Sequence, residues 1–156
     1  MIAPALRLVV PSISVVLATM LAALPWGLSE QTRFLLPLLP FAAIHIWAMR
    51  RPQTIAEPLV FACGLALDVL SHGPLGFWSL VYLAGLAVTR LVPVPRGGAL
   101  VSSWLHFGAT LALLALLQWL LAMAFFVGSV DARPFLIGAL LAFIAYPALD
   151  LVMRPL

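Results

Sequence analysis

The sequence has no lysine, a single cysteine and five acidic residues among its 156, and only 8% of it is charged. A soluble domain usually carries about 25% charged residues, so a chain this poor in charge cannot dress a water-facing surface. Lipid is the solvent that fits. The lone Cys63 lies in an apolar run, which excludes a disulfide framework and a cysteine-based metal site. The basic balance, eight arginines against five acids, could suggest nucleic acid, but that requires basic residues gathered on one face. Here they stand singly or in one pair at the ends of apolar runs. Phosphate-cradling glycine loops, nucleophile elbows and Cys/His clusters are also missing, so no cofactor and no catalytic centre is expected.

What is present is hydrophobic sequence, 65% of the whole. A helix needs about 20 apolar residues to cross roughly 30 Å of hydrocarbon. Six stretches approach that length, at 8–28, 34–49, 55–71, 75–89, 100–127 and 135–152. The reading is an all-α, polytopic membrane bundle of six transmembrane helices forming one domain over 1–156. The first stretch exceeds the length of a signal-peptide core and is read as an uncleaved span. The second is short and carries Pro37 and Pro40, so a kinked or irregular segment is expected there. Its exit, Arg50-Arg51-Pro52, and the alternate prolines and paired glycines of 92–98 mark loops.

Placing the N-terminus in the cytoplasm puts Arg7, Arg50, Arg51, Arg90, Arg96 and Arg154 inside, with only Arg33 and Arg133 outside. The bias gives six spans with both termini cytoplasmic. Trp26 and Trp78 then fall near the outer boundary and Trp47 and Trp104 near the inner one, as an aromatic belt requires.

Ionisable residues inside spans are costly and mark candidate sites. Asp68 is the foremost. Glu57, Gly64 and Asp68 are spaced by whole helical turns and share one face, where the glycine permits close helix approach. Two readings stay open: a buried polar contact to another helix or partner, or a hydrated acid at the outer interface beside the His72-Gly73 turn. Asp150 is expected to pair with Arg154 one turn on. Asp68 and Asp150 lie towards opposite membrane faces and cannot form an aspartyl dyad. His45, His72 and His106 are assigned different depths and show no ligand spacing.

The centre of the chain carries Leu36-Pro37, then Trp47-x-x-Arg-Arg-Pro52, then Gly64-Leu-Ala-Leu-Asp68-Val-Leu, then Gly73-Pro-Leu-Gly76. In this order and spacing it resembles the rod shape-determining protein MreD family, over roughly Leu36 to Leu86. The resemblance implies a non-enzymatic scaffold subunit of the bacterial cell-elongation machinery in the inner membrane. Its implied partners are MreC, the MreB filament, and RodA with its transpeptidase. Glu57, Gly64, Asp68, Gly73 and Gly76 become candidates for partner or helix-packing contacts. Arg50, Arg51, Arg90 and Arg96 share the face where an acidic cytoplasmic partner or anionic lipid could dock. The alternative is the substrate-binding component of an energy-coupling-factor vitamin transporter, whose six-span fold is expected to be related. Short outer loops and few polar groups within the spans count against it, since a substrate pocket needs convergent polar groups.

Overall fold

A computed structural model describes residues 4–27, 34–92, 100–126 and 130–153. Glu30, Arg33, Arg96 and Arg154 lie outside them. The described residues form six α-helices and no strand: α1 (Pro4–Ala23), α2 (Leu35–Arg50), α3 (Glu57–Leu70), α4 (Phe77–Leu91), α5 (Leu100–Phe125) and α6 (Arg133–Val152). Proline sits in the first turn of α3 and of α6, where its missing N–H has no intrahelical partner to lose. Two helices, α5 and α6, are long and apolar enough to cross a membrane; α1, α2 and α4 contain shorter apolar helices.

Successive helices run in opposite directions. The start of α3 meets the end of α4 through Glu57 and Arg90, while the end of α3 meets the start of α4 through Asp68 and Trp78. Likewise Trp104, near the start of α5, donates to the Phe143 carbonyl of α6, and Trp119, near its end, to the Val130 carbonyl before α6 begins. Helices α2 and α6 are parallel: Phe34 abuts Phe135 and Gly138 at one end, and Arg50 binds Asp150 at the other.

The short second segment is the hub. Helix α2 packs on α1, α4, α5 and α6, and every residue from Pro40 to Ala48 is buried. A helix apolar on all sides needs neighbours on all sides, and here they are protein. Leu35–Arg50 is one continuous helix, so its prolines do not break it. Pro37 falls in its first turn, and its carbonyl accepts the Tyr82 hydroxyl of α4. The price of Pro40 is one lost backbone bond.

Polarity is inverted relative to a water-soluble bundle. Buried polar residues include Thr19, His45, Asp68, Ser79, Gln118 and Asp150. Large apolar side chains point outward from the peripheral helices, among them Leu17 on α1, Leu105 and Leu116 on α5, and Leu140 and Ile144 on α6, each at least half exposed.

Candidate functional site

Three polar assemblies sit inside this bundle. The first joins α3 to α4. Helix α3 ends in a Schellman arrangement: the Gly73 N–H donates to the Asp68 carbonyl at 3.0 Å and the His72 N–H to the Val69 carbonyl at 3.3 Å. The left-handed position this requires is taken by His72, with φ of 53°, a place where glycine is usual. Gly76 then adopts φ of +91°, which only glycine reaches without strain. The turn lays the first N–H groups of α4 over the Asp68 side chain. One carboxylate oxygen accepts from the Gly76 N–H and the other from the Trp78 N–H, both at 2.9 Å. These are groups at a helix N-terminus that have no intrahelical acceptor, and a carboxylate there complements the helix dipole.

Further along the same face, a Cβ on Gly64 would lie 2.4 Å from the Ser79 Cα, so the two backbones touch. The Ser79 hydroxyl donates to the Phe61 carbonyl across this contact at 3.2 Å. At the far end the Arg90 guanidinium pairs with Glu57 and donates to the Ile55 and Pro52 carbonyls at 2.6 and 3.3 Å. Glu57, Gly64 and Asp68 therefore do share a face, and that face is turned to α4. Of the two readings of Asp68, the hydrated one fails: the residue is fully buried.

The second assembly closes α2 on α6. Arg50 donates to the Asp150 carboxylate at 2.7 Å and to the carbonyls of Asp150 and Met153 at 3.1 and 2.8 Å. It thereby satisfies carbonyls that the end of α6 leaves open. Sequence reasoning paired Asp150 with Arg154, which lies outside the described residues, and did not foresee Arg50, a hundred residues away. It also offered Arg50 and Arg90 to cytoplasmic partners; within the chain Arg50 is bonded to α6, and Arg90 to Glu57 and to the carbonyls before α3. Arg51 lies over the Trp47 ring, 5.6 Å from its centre.

The third assembly was not foreseen. His45 of α2 is hydrogen-bonded through one ring nitrogen to the Tyr146 hydroxyl of α6 at 3.0 Å and through the other to His106 of α5 at 2.9 Å. The two histidines were placed at different depths, yet α2 and α5 are antiparallel, which brings them level. His45 is fully buried, so both its nitrogens need partners. The described residues contain no group of three or more potential metal ligands.

Two of the tryptophans assigned to a belt are packed inside the bundle. Trp47 and Trp78 are buried, and Trp47 donates to Ser14 of α1 at 2.7 Å; Trp26 is 55% exposed. At the end opposite Arg50, a cavity of about 720 Å³ opens between the helix ends, lined by Ala22, Trp26, Phe34, His72, Trp78 and Phe135 among others. Sequence reasoning counted the short outer loops and few polar groups within the spans against a substrate site, and did not place this cavity. Comparison with known proteins finds no matching family model, no matching curated protein and no matching solved structure.

Proposed function

We propose that the chain is a six-span inner-membrane protein and serves as a non-enzymatic scaffold in the bacterial cell-elongation machinery, associating with an MreC-like protein. Its charged end, with Arg50, Arg51 and Arg90, faces the cytoplasm. The membrane part of the reading draws on the inverted polarity, since exposed apolar surface on this scale is untenable in water and natural in lipid.

The observation that carries the scaffold reading is the α3–α4 clasp. The residues through which the chain resembles the MreD family, Gly64, Asp68 and Gly76, form one connected unit that fixes two helices against each other. A scaffold of this kind offers partners a rigid outer helix surface. Depleting the protein in its host, followed by microscopy and pull-down, tests this: rods should round up, and an MreC-like protein should co-purify with the tagged chain. Cells that keep their rod shape, with no such partner recovered, would refute it.

A second reading, the substrate-binding component of a small-molecule transporter, is favoured by the cavity, whose volume lies in the range of ligand sites. Loss of vitamin uptake on depletion, with cell shape intact, would select it.

A further inference from the structure

The cavity has a wall whose chemistry selects among occupants. It is bounded by the ends of the helices opposite Arg50: Ala22 from α1, Phe34 before α2, the His72 turn between α3 and α4, Trp78 from α4, Ala122 from α5 and Phe135 from α6. The alanines make the room and the rings form the sides. Among the described lining residues there is no Asp, Glu, Lys or Arg. An ion, a carboxylate or a phosphate held among these residues would find no counter-charge from them, which is unfavourable. Water held there would need two to four polar partners. The described side chains that could supply them are Ser71 and His72 of the α3–α4 turn, both exposed, and the indole N–H groups of Trp26 and Trp78, of which that of Trp26 already donates to the Leu21 carbonyl.

We propose that the cavity is a lipid site that admits one hydrocarbon chain of an outer-leaflet phospholipid, with the ester region at the rim beside Ser71 and His72. The inference rests on the membrane reading and is independent of the scaffold role. The cavity is partly open, so in a bilayer the surrounding solvent is itself hydrocarbon. A chain entering between the rings gains dispersion contacts on all sides that an empty space forfeits.

Trp78 gives the test, because it is only 5% exposed yet lines the cavity. The protein is reconstituted into vesicles of phosphatidylcholine with or without bromine on the chains, and the emission removed by Trp78→Phe is taken as the Trp78 share. That share should lose most of its intensity to brominated chains and little to aqueous iodide. Filling the cavity from α5 with Ala122→Phe should restore it; Ala22→Phe does the same from α1 if the first variant fails to fold. A Trp78 share unaffected by brominated chains, quenched by iodide instead, or quenched equally after filling, would overturn the proposal. The four other tryptophans of Trp78→Phe are the control: if brominated chains leave them bright as well, the membrane reading falls, and the lipid site with it.

Discussion

Asp68 is buried yet fully used, with each carboxylate oxygen taking one N–H of the next helix. Changing it to Asn keeps the shape but sets an amide NH₂ against one of those donors. The expected cost is about 1–3 kcal/mol, the penalty for leaving a buried donor unmatched, read as a lowered unfolding temperature in detergent. A residue merely hydrated at an interface would show no such drop. The glycine-to-aspartate spacing was visible in the sequence, and so was its helix face. Its acceptor role was not, because the donors become neighbours only once the 71–76 turn has folded back. His72 offers the opposite experiment. It holds a left-handed backbone that costs a side-chain-bearing residue about 1 kcal/mol, so His72→Gly should raise the unfolding temperature. A fall would show that the imidazole itself contributes to the turn.

Gly64, Gly73 and Gly76 of the α3–α4 hairpin were grouped together in the sequence as packing candidates, yet they are not equivalent. A methyl on Gly64 meets the Ser79 backbone at 2.4 Å, whereas on Gly73 the nearest atom is 3.4 Å away. Gly64→Ala must push α3 off α4 and should cost about 1–3 kcal/mol, as overpacking does. Gly73→Ala should be close to neutral, and thermal unfolding of the pair side by side checks the contrast. The α2–α6 closure is open to a double-mutant cycle on Arg50→Gln and Asp150→Asn. Contacting residues couple by about 0.5–3 kcal/mol, and additive effects would deny the pair a role in closure. The lengths of the apolar runs located all six helices because each run is bounded by turn residues. They could not find pairs such as Arg50–Asp150 or His45–His106, which depend on which helices become neighbours. The prolines and short length of α2, which count against a lipid-facing span, are accommodated in a helix enclosed by four others.

At the scale of the molecule, large apolar side chains cover the outside as well as fill the core, while His45, Asp68 and Gln118 are buried, and Arg50, Arg90, Glu57 and Asp150 gather at one end. Composition pointed to a membrane protein, and two helices are long and apolar enough to cross one, while the cavity at the other end depends on how the helix ends meet and was invisible in any one of them. The six-span arrangement is most exposed at α3, which has 14 residues and spans only about 21 Å at 1.5 Å per residue. Cysteine labelling at its two ends is therefore the most direct test. With Cys63 replaced by Ala, single cysteines are introduced at Gln53, before α3, and at His72, after it, and intact spheroplasts are treated with a membrane-impermeant maleimide. Both sites are exposed. The account predicts labelling at position 72 in intact spheroplasts and at position 53 only after permeabilisation. Labelling of both from the same side would mean that α3 does not cross the bilayer, and the six-span bundle would have to be abandoned.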